Sequence, residues 1–270
     1  MLLWKHDEKG IALIAVLWAL ALLSLIVSSW SFDTRVEAKV SRNLVDNAAA
    51  RAAADAGIQR ALLNLSVSHS LSDKEKIPSD GTVYAWRFAN CTVIISIRDE
   101  ASKLNLNQAP TAVLASLFIS LGVDVDRAQS LAAAIADFCD TDRLRRSLGA
   151  EDGDYQAAGL PWGPKNAPFQ EVAELQQVLG MTPQIYERVA PYLTVYSRGA
   201  GIDPSLAGEQ LTGVLRRADF KHFIESPETA YSIRSVVRCS QGAVFVREAV
   251  VELNRDLGRA QILSWQQGVL

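Results

Sequence analysis

Apolar residues run without a charged residue from Ile11 to Phe32, directly after the short polar segment Met1–Gly10. A run of about 20 apolar residues is long enough to cross a bilayer as a helix. A secretory signal peptide has a shorter apolar core, followed by a cleavage site between small residues. Residues 31–35 contain no such site, so the pattern predicts that 11–32 stays on the mature protein as a transmembrane segment.

The helical pattern continues beyond this segment. Residues 31–65 contain no proline and a single glycine, Gly57, and the stretch before that glycine is dense in alanine, the best helix former. One helix over Ile11–Leu65 would be about 80 Å long. We expect its second half to lie on a sheet, through a face made of Leu44, Ala48, Ala52, Ala56, Leu62 and Leu65.

Short alternating runs rich in β-branched and aromatic residues predict strands on both sides of a helical block. The predicted strands are 83–88, 91–98, 192–196, 231–239, 243–253 and 260–265, and the predicted helices are 110–121, 125–139, 168–179, 183–190 and 204–217. This order predicts an α+β protein: a long N-terminal transmembrane helix packs on an antiparallel sheet built from 33–103 and 191–270, with a large helical insertion at 104–190.

Composition and cysteine spacing exclude several function classes. The chain has 270 residues and a net charge of −3, which argues against a nucleic-acid binder driven by charge. Cys91, Cys139 and Cys239 lack CxxC spacing, which argues against a zinc site or a redox motif. We interpret them as three small buried side chains. If the body lies outside the cytoplasm, two of them could instead form a disulfide, and the sequence does not select the pair.

Five carboxylates form two short clusters that could hold a hard cation. Alternating acids place oxygens close together on a loop, and calcium takes 6–8 oxygen ligands, completed by backbone carbonyls or water. The competing interpretation is that Arg143, Arg145 and Arg146, which lie between the clusters, simply neutralise them. The candidate ligands are Asp140, Asp142, Glu151, Asp152 and Asp154.

No catalytic constellation of known type stands out in the sequence. A membrane-tethered periplasmic metal-dependent hydrolase that uses Asp137, Asp140 and Asp142 is the alternative from another class. The region Glu174–Ala190 resembles a helix-hairpin-helix unit, but its turn at 179–183 has one glycine and no adjacent Lys or Arg. Affinity for a phosphate backbone would be weak, so we interpret the unit as a packing module and expect no nucleic-acid partner.

Several ordered motifs resemble one known family. The segment around Gly10-Ile11-Ala-Leu-Ile is similar to the prepilin class of cleavage signals. Further motifs lie at 99–107, 135–142, 149–155, 166–169 and 174–181. Together with the cleavage signal, these motifs resemble those of the K-type minor pseudopilins of type II secretion systems. Two segments depart from the usual family pattern: residues 202–207 replace an Asn-Leu-Asn-type repeat, and a glycine-rich run is reduced to Gly149.

The resemblance implies a pseudopilin fold and a role in assembly rather than catalysis. Prepilin peptidase would cleave between Gly10 and Ile11, and the new amino terminus at Ile11 would be methylated. The protein would be a single-pass protein of the bacterial inner membrane with its body in the periplasm. Its expected partners are the I- and J-type minor pseudopilins and the inner-membrane assembly platform, and the resemblance also supports calcium as a bound ion.

Two features point to the tip of the filament. The class usually carries a glutamate at the fifth mature position, where this chain has Ala15. In such filaments that carboxylate is thought to pair with the amino terminus of the neighbouring subunit, so a subunit without it suits a place that needs one interface only. The block at 104–190 is also larger than a lattice with neighbours on every side would accept.

Partner helices could approach the transmembrane segment closely at its small residues Ala19, Ala21, Ser24 and Ser28.

Overall fold

The computed structural model describes residues 9–72, 75–197, 199, 201–218, 220–221, 223–254 and 259–269, with side chains for all of these except 9–12, 31–35 and 69. Most of the leader Met1–Gly10 therefore lies outside the described residues, as do residues 255–258 between the predicted strands 243–253 and 260–265. In chain order the elements are α1 (Lys9–Ser66), β1 (Asp80–Phe88), β2 (Cys91–Asp99), β3 (Leu104–Asn105), α2 (Thr111–Ser120), α3 (Val125–Cys139), α4 (Asp152–Ala157), α5 (Pro183–Val189), β4 (Leu193–Thr194), α6 (Glu209–Arg217), β5 (Ala230–Cys239), β6 (Val244–Asn254) and β7 (Arg259–Gln267).

A single helix, α1, joins the apolar segment to the body, as the pattern predicts. Its segment Leu13–Trp30 is long and apolar enough to cross a membrane, and none of it is buried in the protein. Ala15 lies on this exposed stretch. The second half of α1 packs on β2, β5 and β6. The first half of the long helix is therefore exposed, and the second half is part of the protein core.

The face that α1 turns to the sheet differs from the predicted one. Leu62 and Leu65 are buried as expected, but Leu44 is 65% exposed, and Ala48 and Ala52 are also exposed. Alanines surround this part of the helix on all sides, so hydrophobic periodicity cannot choose among its faces. The buried face is instead formed by Ala50, Ala53, Ala54, Gly57, Ile58 and Ala61.

Close approach between helix and sheet selects that face. A Cβ at Gly57 would collide with the hydroxyl oxygen of Ser235 and come within 2.8 Å of Val93 Cγ1. Only glycine lets the helix backbone lie this close to β2 and β5. The lone glycine of the helical stretch thus marks the contact line.

The sheet is antiparallel and has the strand order β1-β2-β5-β6-β7. β2 and β5 pair directly, although the whole helical block separates them along the chain. The predicted fold class, an α+β fold with a long helix on an antiparallel sheet and a large helical insertion, is confirmed. The sheet core forms between α1 and one face of the sheet.

The interpretation of the cysteines as three small buried side chains is wrong for two of them. Cys91 and Cys239 lie opposite each other at the paired ends of β2 and β5 and form a disulfide. Cys139 is a half-buried free thiol at the end of α3. The sequence could not select this pair because the two residues are 148 positions apart and meet only through strand pairing.

The helical insertion has a core of its own, around Leu114, Phe118, Leu131, Phe138 and Tyr155. α6 belongs to it, because Leu211, Val214 and Leu215 are buried in the same core. The predicted boundary at residue 190 therefore falls too early. The strand expected at 192–196 shortens to β4, which pairs in parallel with β3 at the start of the insertion.

Two predicted helices are shorter than expected. The segment expected as a helix at 168–179 contains a 3-10 helix at Val172–Gln177, and the helix expected at 204–217 begins at Glu209. In the second case Asp203 accepts hydrogen bonds from Ser205 through its side chain, so the chain forms a turn before the helix. The other predicted helices, 110–121, 125–139 and 183–190, are confirmed to within one or two residues.

Candidate functional site

A cluster of carboxylates lies where α3 ends and α4 begins. Asp140 is the residue that terminates α3, and Glu151 is the residue that precedes α4. Asp142 lies in the loop between them, where its side chain accepts a hydrogen bond from the Leu144 amide at 2.7 Å. One carboxylate oxygen from each of the three residues lies within 4.8 Å of the others. The structure thus brings together three of the five acids that the sequence nominates.

The two remaining acids lie on the helix rather than on a loop. Asp154 accepts a hydrogen bond from the Glu151 amide at 3.0 Å through one oxygen and pairs with Arg145 at 3.3 Å through the other. Asp152 occupies the first turn of α4 with its carboxylate against Gly163. The expectation that all the acids lie on loops is wrong at these two positions, because they begin a helix. Their role as ligands remains a prediction.

Arg146 neutralises one side of the cluster. Its guanidinium donates to Asp137 Oδ1 at 2.7 Å and also to Asp140 Oδ2, and its backbone amide donates to Asp137 Oδ2 at 3.1 Å. Hydrogen bonds to Asp137 and then to Asp140 raise the pKa of Arg146 further above its ordinary value. Gly149 leaves space for this arrangement, since a Cβ there would collide with the Asp137 carboxylate. Packing against Asp137 thus requires a glycine at position 149.

Two of the three clustered acids retain buried oxygens that have no protein partner. Asp140 Oδ1 and both carboxylate oxygens of Glu151 are buried and have no hydrogen-bond partner. Burial, followed by the charges of Asp137 and Asp140, raises the pKa of Glu151. Buried oxygens without a donor are costly, and a cation would satisfy them. The competing interpretation, in which arginines neutralise the whole cluster, accounts for Asp137, Asp154 and one oxygen of Asp140, but not for Glu151.

One further oxygen was not among the sequence candidates. Asn166 Oδ1 is buried without a partner. The backbone of Asn166 donates to the Phe138 carbonyl at 2.9 Å, which fixes this residue beside the end of α3, and its φ is +52°. Carboxylate and amide oxygens are the ligands that calcium prefers, so this donor set fits a hard divalent cation. An asparagine with left-handed backbone in a loop is a signal that the acid spacing alone does not show.

Proton-transfer chemistry is not favoured by this arrangement. Asp137 is fully buried, and both of its oxygens accept hydrogen bonds from Arg146. A catalytic acid or base must reach the proton that it transfers. In the alternative of a hydrolase that uses Asp137, Asp140 and Asp142, Asp137 could not reach a substrate.

The turn of the helix-hairpin-helix-like unit is used for packing within the insertion. Gly180 has a φ of +84°, and its carbonyl accepts a hydrogen bond from Arg127 of α3 at 3.1 Å. The turn is thus directed at α3. This contact agrees with the interpretation of the unit as a packing module.

The insertion and this site are similar to one family of known proteins. The family model described as type II secretion system (T2SS), protein K, matches residues 94–198, which include all the clustered acids and Asn166. A putative type II secretion system protein K from Escherichia coli K12 is 25% identical over 211 residues, covering 71% of this chain and 63% of that protein. The type II secretion system protein K of Klebsiella pneumoniae is 28% identical over 215 residues, with 70% and 63% covered. The match thus spans less than two thirds of these relatives.

A solved structure has the same fold. It is the crystal structure of the GspK-GspI-GspJ complex from the type 2 secretion system of enterotoxigenic Escherichia coli, and one of its chains matches with a TM-score of 0.70. Identity to that chain is 18%, and the match covers 85% of this chain and 99% of that one. The family model, the relatives and the fold thus agree on one similarity, to the type II secretion system protein K family.

Proposed function

We propose that this protein is a minor pseudopilin that starts or caps assembly of the secretion pseudopilus at its tip, for export of proteins across the outer membrane. The observation that carries the proposal is that the two halves of α1 have different surroundings. Its first part is apolar and exposed, while its second part is built into the sheet core. A helix of this kind fixes a folded body to a membrane and presents an apolar surface to neighbouring helices. The role is structural, without a catalytic step.

Membrane placement follows from the same helix and from the disulfide. Leu13–Trp30 would cross the inner membrane once, with the body in the periplasm. Disulfides persist in oxidising compartments such as the periplasm, and the Cys91–Cys239 bond supports that side for the body. Prepilin peptidase would cleave between Gly10 and Ile11, and methylation of Ile11 would follow.

Cleavage is tested by intact mass. We expect the full chain, expressed with active prepilin peptidase, to begin at Ile11 with one added methyl group. With an inactive peptidase it should begin at Met1. Gly10→Val should prevent cleavage, whereas Gly153→Val, at a position with open space around it, should not. A mature protein that still begins at Met1 beside an active peptidase would refute the proposal.

The partners would be I- and J-type minor pseudopilins, as in the complex that has the same fold, together with the inner-membrane assembly platform. They would contact α1 through Ala19, Ala21, Ser24 and Ser28, which are exposed. Cysteine crosslinking at Ser24 tests this, with Leu63, which is also exposed and lies at the other end of the helix, as the control position. Labelling of this subunit evenly along the filaments would contradict placement at the tip.

We also propose that the acid cluster binds calcium as a structural ion. Asp140, Asp142, Glu151 and Asn166 would supply oxygens, and backbone carbonyls or water would complete the shell. The ion would join the end of α3 to the start of α4 and remove the repulsion among the acids. Asp152 is a further candidate ligand because it adjoins Glu151, while Asp154 is already engaged by the Glu151 amide and Arg145.

A further inference from the structure

A cleft of about 710 Å³ lies between the helical insertion and the face of the sheet that points away from α1. Its floor crosses four strands, from Ser96 on β2 to Gln266 on β7. Its roof comes from the insertion and includes the side chains of Tyr186, Tyr192 and Tyr196. Small-molecule sites have volumes of about 300–1,000 Å³, so the cleft has the size of a ligand site.

The floor presents a continuous row of polar side chains. In the strand register Ser96 lies opposite Arg234, Arg234 opposite Glu248, and Glu248 opposite Gln266. Adjacent strands are about 4.7–4.9 Å apart, so the row repeats hydrogen-bonding groups at a short, regular spacing. It combines hydroxyl, guanidinium, carboxylate and carboxamide groups, which together offer both donors and acceptors.

The charges in the cleft balance. Three basic residues, Arg98, Lys103 and Arg234, line it together with three acidic ones, Glu100, Glu171 and Glu248. Lys103 pairs with Glu100 at 2.6 Å, and Arg234 pairs with Glu248 at 3.4 Å. A charged ligand would have to compete with these pairs and would leave one member of a pair without its partner. The lining therefore fits a polar ligand without net charge.

The tyrosines add flat apolar surface with a polar rim. The Tyr192 hydroxyl donates to Gln210 Oε1 at 2.6 Å, so this ring is held in place. An aromatic ring offers an apolar face, and the hydroxyl at its edge bonds to polar groups. A sugar ring has the complementary form, with apolar C–H faces and hydroxyl groups around the edge.

From these features we infer that the cleft between the sheet and the insertion binds a neutral oligosaccharide. A peptide is the competing ligand class, since it also offers donors and acceptors. A peptide that binds by adding a strand uses the edge of a sheet, where main-chain groups are free. This cleft lies over the face of the sheet, where strand pairing already uses the main-chain groups and only side chains are available. The inference goes beyond the proposed assembly role and does not depend on it.

Binding is tested on the full chain, purified in a detergent without a sugar headgroup, by isothermal titration. Triacetylchitotriose and maltotriose serve as neutral probes. The fully deacetylated, cationic trimer of glucosamine and a neutral Gly-Ser-Gln peptide of similar size serve as comparisons. We expect saturable binding of at least one neutral sugar and none of the other two probes. Gln266→Leu and Ser96→Ala should each weaken sugar binding by about fivefold or more, as expected for one lost hydrogen bond.

Gln241→Leu is the matched control, because Gln241 is exposed in the turn between β5 and β6, outside the cleft. It should leave the affinity unchanged, and thermal melts should show that all variants remain folded. Absence of saturable binding by both neutral sugars would overturn the inference. So would equal affinity of wild type and both floor variants, preference for the cationic trimer, or binding of the peptide in place of the sugar.

Discussion

Calcium should stabilise the folded protein through Glu151, and the structure suggests a sharp test. Both carboxylate oxygens of Glu151 are buried without a partner, and Asp140 and Asp142 lie within reach of the same point. Glu151→Gln keeps the shape of the side chain and removes its charge. The variant should therefore lose the ion while the fold around α3 and α4 remains intact.

The expected effect of calcium follows from mass action. An ion that binds only the folded state stabilises by about 2.7 kcal/mol at a hundredfold excess over Kd. At about 2–4 °C per kcal/mol for a protein of this size, that corresponds to a rise in Tm of roughly 5–11 °C. Wild type should show this rise between chelator and millimolar calcium. Glu151→Gln should show little of it, whereas Glu187→Gln, at an exposed position of α5, should behave like wild type.

The behaviour in chelator provides a second, independent readout. Burial and neighbouring acids raise the pKa of Glu151 above its ordinary value of 4.5. A carboxyl with a raised pKa in the folded state contributes stability that is present below pH 4.5 and is lost as pH rises through the raised pKa. Without calcium, Glu151→Gln should therefore be more stable than wild type at neutral pH, and this difference should shrink below pH 4.5.

The assay is a thermal melt of the full chain in detergent, followed by circular dichroism at several pH values, with chelator or calcium. Identical wild-type curves in chelator and calcium would end the calcium proposal. A rise that Glu151→Gln retains in full would place the ion elsewhere. If Glu151→Gln were less stable than wild type in chelator at neutral pH, the account of Glu151 as a buried and repelled carboxylate would be wrong.

Two further predictions concern the sheet core. Gly57→Ala should lower the free energy of unfolding by about 1–3 kcal/mol, since its Cβ would collide with Ser235, whereas Gly213→Ala, at a helical position with open space, should raise it by up to about 1 kcal/mol; urea unfolding measures both, and equal effects would contradict the close approach. Replacing Cys91 and Cys239 together by serine should cost on the order of 2–5 kcal/mol, because the bond closes a loop of 148 positions; a midpoint in denaturant that matches the wild type would argue against a structural disulfide.

Local sequence signals predicted the elements well. The length of α1, the bounds of α3 and the strands predicted at 83–88 and 91–98 depend on residue preference and on spacing within a few positions. These signals do not depend on contacts between distant segments, so they can be recognised from the sequence alone. The order of helix, strands, helical block and strands then sufficed to predict that the block is an insertion in the sheet domain.

Contacts between distant segments could not be read in the same way. The face of α1 was misassigned because alanines occupy several faces, and only the approach of Gly57 to β5 decides among them. The Cys91–Cys239 pair depends on strand register across the whole insertion. At the candidate site, Asp154 begins a helix and bonds the Glu151 amide, a local competition that acid spacing does not reveal.

The sheet core and the insertion core are each stabilised by a different crosslink, a disulfide in the first and the proposed ion in the second. In the sheet core the disulfide joins the strands on either side of the insertion, at the ends of β2 and β5 that lie away from it. In the insertion core the proposed ion would join α3 to α4, beside the Arg146 bridge from Asp137 to Asp140. A reducing agent should therefore act first on the sheet, and a chelator first on the insertion.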